Sequence, residues 1–108
     1  MASEKNFENK IKKWLTDNGC WYVKFFANAF TPSGVPDILA SVGGYFVGIE
    51  VKAQTGRASE LQLWNVRKIR NSGGYAWVVY PSGWNKLKEA LRTIMNGDRV
   101  FYDEEILK

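Results

Sequence analysis

Apolar residues recur at helical spacing between residues 3 and 18, where Phe7, Ile11, Trp14 and Leu15 fall on one face. Ser3 can cap the start of this helix, and Asn18-Gly19 stops it. The pattern then changes. WYVKFF, residues 21 to 26, is β-branched and aromatic and reads as a strand. ANAFTPSGVP, punctuated by Pro32, Gly34 and Pro36, is a loop. ILASV is a short strand, Gly43-Gly44 a tight hairpin turn, and YFVGIEVKA the returning strand. After the polar linker AQTGRAS, Ser59 opens a second helix in which SELQ has the form of a capping box, with Gln62 at the third helical position. That helix runs to Asn71-Ser72 and ends at Gly73-Gly74. YAWVVY, residues 75 to 80, is apolar on both faces, as a doubly buried strand should be. Pro81-Ser82-Gly83 leads into the helix WNKLKEALRTIM, closed by Asn96-Gly97, and the tail RVFYDEEILK predicts a short edge strand or packing segment. The order is αβββαβα. A strand pair followed by helix and strand implies an α/β fold, a mixed sheet with helices on both faces.

At 108 residues the chain predicts one domain, spanning 1–108. No apolar run approaches the roughly 20 residues that cross a bilayer. MASEKNFENKIKKWL has no apolar signal core, so a cytoplasmic protein with no membrane partner is expected. Two features of composition narrow the chemistry. Cys20 is the single cysteine, which excludes an internal disulfide framework and cysteine-cluster zinc sites. Histidine is absent, which removes Ser-His-Asp and Cys-His triads and histidine bases. An enzyme built from this chain must use carboxylates, lysine, hydroxyls or a hard metal ion. The net charge of +4 suits a polyanionic partner, and equally suits simple solubility.

The charges inside the hydrophobic hairpin carry the most information. Along YFVGIEVK, Tyr45, Val47, Ile49 and Val51 point to one face, and Phe46, Gly48, Glu50 and Lys52 to the other. Glu50 and Lys52 are same-face neighbours, roughly 7 Å apart. A two-residue turn at Gly43-Gly44 sets a register in which Asp37 lies nearly opposite Glu50, with Lys52 at the open end. Two carboxylates held together repel unless a cation sits between them. Mg²⁺ favours such oxygen ligands. A lysine alongside can orient water and stabilise charge developing on a phosphate. The competing reading is a plain salt bridge from Lys52 to Glu50 or Asp37 on a half-exposed face.

Pro36-Asp37, followed thirteen residues after the aspartate by Glu50-Val51-Lys52, resembles the PD-(D/E)xK nuclease core. GVPDIL, GIEVKA, TGRASELQ and GGYAWVV together resemble the VRR-NUC (virus-type replication-repair nuclease) family over roughly residues 4 to 80. This resemblance implies a restriction-endonuclease-like fold and a Mg²⁺- or Mn²⁺-dependent DNA endonuclease leaving a 5′-phosphate and a 3′-hydroxyl. It implies metal ligation by Asp37, Glu50 and the main-chain carbonyl of Val51, with Lys52 as the catalytic lysine. Gln62 matches the family's glutamine near the scissile phosphate, besides its capping role. Glu8 best matches the first-helix glutamate that assists through the metal or its water, while Glu4, one turn earlier, could also reach it. Stand-alone members resemble Holliday-junction resolvases, which implies a homodimer acting on four-way DNA junctions. The alternatives are a flap or sequence-specific endonuclease, or a non-catalytic nucleic-acid-binding module.

Lys24, Ser33 and Arg57 are candidates to meet DNA phosphate, each also readable as plain surface. Lys10, Lys12, Lys13, Lys86 and Lys88 read as solvated faces. Trp21, Phe25, Trp77 and Tyr80 fit strand interiors. A base-stacking platform needs exposed aromatics interleaved with basic residues. Tyr22-Val23-Lys24-Phe25-Phe26 comes nearest to one, but reads as core.

Overall fold

The computed structural model describes residues 3–100 and 104–108. The first helix, α1 (Glu4–Asp17), begins where Ser3 accepts a hydrogen bond from Asn6 N at 3.0 Å. It buries Phe7, Ile11 and Leu15 at the predicted spacing. Three strands follow, β1 (Trp21–Lys24), β2 (Ile38–Val42) and β3 (Tyr45–Val51). The hairpin between β2 and β3 turns at Gly43 (φ 56°) and Gly44 (φ 86°), two left-handed positions that only glycine adopts freely. Its ladder, Val42 opposite Tyr45 through Ile38 opposite Ile49, is the register read from the sequence.

Helix α2 (Glu60–Asn71) carries the full capping box: Ser59 Oγ accepts from Gln62 N at 3.1 Å, and Gln62 Oε1 accepts from Ser59 N at 2.9 Å. Strand β4 (Tyr75–Val79) lies parallel to β3. A 3₁₀ turn over Pro81–Gly83 leads into α3 (Trp84–Met95). The tail supplies β5 (Ile106–Leu107), parallel to β4; residues 101–103 of that predicted segment lie outside the described residues. Gly83 permits this docking, because a Cβ there would sit 2.2 Å from the Leu107 carbonyl oxygen.

The sheet order is β1-β2-β3-β4-β5. On one face, Phe7, Ile11 and Leu15 of α1 and Leu87, Leu91 and Ile94 of α3 pack on Val47, Ile49 and Val51. On the other, Val66 of α2 packs on Ala76, Val78 and Tyr80. Helices therefore cover both faces of a mixed sheet, the α/β arrangement the element order implies.

The reading of WYVKFF as interior needs correction. The strand stops at Lys24, because the ladder partner after Asp37 would be Pro36, which has no N–H to donate. Trp21 is 67% exposed and Phe26 76% exposed. Trp21 lies on the edge strand, on the face bearing Phe46, where α2 does not reach, and Phe26 lies beyond the strand end. Phe25 is half-buried, while Trp77 and Tyr80 are buried as predicted. Among the described residues, no helix is long and apolar enough to cross a membrane.

Candidate active site

The site forms at the end of the sheet where β1, β2 and β3 meet the first turn of α2. Asp37 sits immediately before β2, and Glu50 is the second-last residue of β3. Asp37 Oδ2 accepts the Val51 N–H at 2.8 Å, which extends the hairpin register by one side-chain bond and holds the aspartate beside Glu50. Glu50 is 2% exposed. Its Oε2 accepts from Gln62 Nε2 at 3.1 Å and lies 3.4 Å from Lys52 Nζ, while its Oε1 is buried with no hydrogen-bond partner among the described residues. Burial and the neighbouring Asp37 carboxylate push the Glu50 pKa up to about 8, against the opposing pull of Lys52.

Gln62 closes the cap predicted for it and also reaches the acid pair, through opposite ends of one amide. Its Oε1 closes the capping box and its Nε2 holds Glu50. The local sequence SELQ thereby aims α2 at the site.

On the other face of the sheet Glu8 is 5% exposed, whereas Glu4 is exposed on α1. Lys24 reaches from the end of β1 to Glu8 Oε1 at 2.7 Å and to Asp37 Oδ1 at 3.4 Å. Lys12, one helical turn after Glu8, binds Glu8 Oε2 at 2.8 Å. Burial alone would raise the Glu8 pKa, but the two ammonium groups hold it below the usual carboxylate value. Burial likewise opposes the charge on Lys24, yet Glu8 and Asp37 raise its pKa. Two of these partners differ from their sequence-based readings. Lys12 is not part of a solvated face, and its spacing of four from Glu8 was the available signal. Lys24 lies inside the site, and its place next to Asp37 depends on the β1–β2 register, which the long intervening loop conceals. Ser33 and Arg57 remain on the exposed surface, with the Ser33 carbonyl accepting from Asn65 Nδ2 at 3.2 Å.

Both the paired-acid reading and the salt-bridge reading thus have a structural counterpart: Lys52 does pair with Glu50, but only through one oxygen. Among the described residues, no three His, Cys, Asp or Glu side chains gather on one ion position. Glu8 is joined to the Asp37–Glu50 pair through Lys24 rather than by direct approach. The pair itself fits a hard divalent cation. It offers oxygen donors, and the orphaned Glu50 Oε1 lacks the positive partner that would satisfy it.

The family model for archaeal Holliday junction resolvases (Hjc) matches residues 2–90. The chain belongs to the Hjc family. This places it in the PD-(D/E)xK-like nuclease superfamily, in agreement with the motif that Asp37, Glu50 and Lys52 spell out. The solved structure of Archaeoglobus fulgidus Hjc, described as a Holliday junction resolvase from an archaeal hyperthermophile, is similar with a TM-score of 0.55 at 24% identity. The similarity covers 70% of this chain and 66% of that one, and it carries the fold alone. No curated protein matches the chain. Within the Hjc-family fold, the hairpin, Gln62 and Lys24 are thus the parts of this chain that bring its charged groups to one end of the sheet.

Proposed function

We propose that this chain is a structure-selective DNA endonuclease that hydrolyses phosphodiester bonds at four-way junctions as a homodimer. The observation that carries this reading is the pairing of Asp37 with the buried Glu50, with one Glu50 oxygen unpartnered among the described residues and Lys52 beside it, in a member of the Hjc family. Asp37, Glu50 and the Val51 carbonyl would hold Mg²⁺ or Mn²⁺, with Glu8 assisting. A bound divalent cation supplies Lewis-acid stabilisation of phosphate charge and a more acidic water.

The chain's own groups have separable tasks. Gln62 and Lys52 occupy Glu50 Oε2, so Oε1 is the oxygen presented to a ligand. The Val51 N–H fixes Asp37 through Oδ2 and leaves Oδ1 towards Lys24. Lys52 orients the attacking water and neutralises charge on the phosphate as the P–O bond breaks. Lys24 and Lys12 keep Glu8 ionised at the edge of the site. In-line attack by water gives a 5′-phosphate and a 3′-hydroxyl.

GVPDIL, GIEVKA and TGRASELQ support the narrower kinship to VRR-NUC nucleases within the superfamily. A symmetric junction presents two equivalent strands, which suits a dimer with two sites. Exposed Leu61 and Trp64 on α2, with Trp21, Val23 and Phe46 on the part of that sheet face α2 leaves open, offer apolar surface for a second copy.

The test is cleavage of labelled four-way, flap and linear DNA in Mg²⁺, Mn²⁺ and chelator, by wild type, Asp37→Ala and Lys52→Ala, with the solution mass measured in parallel. Metal-dependent cutting of junctions by a wild-type dimer, lost in both variants, is the expected result. Binding without cleavage in either metal would overturn the enzyme reading. Equal cleavage of linear duplex, or a monomer at working concentration, would overturn the resolvase assignment.

A further inference from the structure

The loop between β1 and β2 leaves the site after Lys24 and returns to it at Asp37, and Phe25 N donates to the Asp37 carbonyl at 2.8 Å where the two ends meet. Between these anchors the loop is organised rather than merely long. Asn28 Oδ1 accepts from Phe30 N at 2.7 Å, Thr31 Oγ1 accepts from Asn28 N at 2.9 Å, and Thr31 Oγ1 donates to the Asn28 carbonyl at 3.1 Å. Further along, Asn65 of α2 donates to the Ser33 carbonyl, and Gly34 lies so close to Leu61 that a Cβ would meet its Cγ at 2.8 Å. These bonds fix the backbone on both sides of an aromatic that has no burial at all: Phe30 is 97% exposed. Phe26, 76% exposed, is the second ring on this loop. Lys24 Nζ stands 5.9 Å from the Phe26 centroid while it also binds Glu8 and Asp37.

We propose that Phe26 and Phe30 form a base-stacking element that engages nucleobase faces unstacked at a DNA branch point, next to the strand cut by the Asp37–Glu50–Lys52 site. The proposal rests on the endonuclease reading and adds to it the feature that selects branched DNA. Bases in a continuous duplex hide their faces in the stack, whereas a branch point exposes them. Phe26 stands beside Lys24 and Phe30 is exposed on the same loop, whose two ends meet at the site; exposed rings on such a loop match an exposed base attached to its backbone. This arrangement restores the aromatic-and-basic platform that the sequence alone made look like core, with Phe26 and Phe30 as its rings.

The experiment compares wild type, Phe30→Ala, Phe26→Ala/Phe30→Ala and Phe30→Trp at fixed salt. It measures Kd for a four-way junction and for a linear duplex of the same length, the emission of 2-aminopurine at the branch, thermal melting and solution mass. Each lost stack should weaken junction binding by about 5-fold to 150-fold. Duplex binding should hold within about twofold, because phosphate contacts supply it. The double variant should therefore lose junction preference and the 2-aminopurine change, Phe30→Trp should keep both, and melting should not move. An unchanged junction-to-duplex ratio in the double variant would overturn the proposal while leaving the nuclease reading intact. A change of solution mass would also overturn it, by making these rings a contact between copies. Wild type that neither binds nor cuts DNA would sink both readings together.

Discussion

Replacing Glu50 by Gln should make the metal-free protein more stable at alkaline pH, although it removes a central acid of the site. Glu50 is raised from its ordinary 4.5 to about 8, chiefly by burial and then by Asp37. A carboxyl whose folded pKa lies above its unfolded value holds its proton more tightly when folded. Stability from this group is therefore complete below about pH 4.5 and declines as the pH rises towards 8. Integrating between pH 5 and pH 8 gives a loss of roughly 3–4 kcal/mol for wild type, which Glu50→Gln would not suffer. That is a large share of the roughly 5–15 kcal/mol that holds a small domain folded. The absence of histidine makes the window unusually clean, since no side chain with an ordinary pKa near neutrality obscures it. Urea unfolding in chelator at pH 5, 6.5 and 8 measures the effect. The wild-type midpoint should fall by about 2 M across the series and the variant's should stay nearly level. Parallel pH profiles for the two proteins would show instead that Lys52 and Gln62 already satisfy an ionised Glu50.

Gln62→Ala should lose about 0.5–2 kcal/mol from the α2 cap in thermal melts, while Gln62→Glu keeps the box but sets a second acid against Glu50, lowering junction cleavage more than stability. Lys24→Met removes the cation between Glu8 and Asp37 and should cost about 1–3 kcal/mol in urea unfolding, with Lys24→Arg recovering part of it. Glu8 is held below its ordinary 4.5, so its contribution is present above that value and lost as the pH falls through the folded pKa. Glu8→Gln should accordingly flatten the acid limb of the stability profile measured by urea unfolding.

The fold was legible wherever local rules act alone. Ser3 and Ser59 start their helices, the two glycines set the hairpin, and Phe7, Ile11 and Leu15 mark a buried face with no knowledge of what covers it. Asp37 and Glu50 were legible for the same reason, because a two-residue turn counts outward to place them opposite each other. The exposure of Trp21 and Phe26 was not legible. β-propensity reports a ring's fitness for a pleated strand, but not whether a helix lies over it, and on this face α2 packs over β4 and β3 and stops short of the edge strand β1.

Lys24 was hidden by a different cause. A lysine's stem is long enough for its ammonium to reach side chains on whichever elements pack beside it, so its partner is decided by tertiary packing. Lys24 belongs to β1 but bridges α1 and the start of β2, and no period in the sequence encodes that reach. Its effect is to divide the acids of the site into two kinds. Glu8 has a lysine on each oxygen and is held ionised, whereas Glu50 has one oxygen held by Gln62 and Lys52 and the other left bare in the interior. The unsatisfied oxygen is the one place where the site departs from the rule that buried polar atoms are paired. A positive ligand arriving there would relieve the very burial cost that raises the Glu50 pKa, so its binding and the ionisation of Glu50 must favour each other. Added Mg²⁺ or Mn²⁺ should therefore raise the wild-type urea midpoint more at pH 8 than at pH 5, and a pH-independent increment would remove Glu50 from the site.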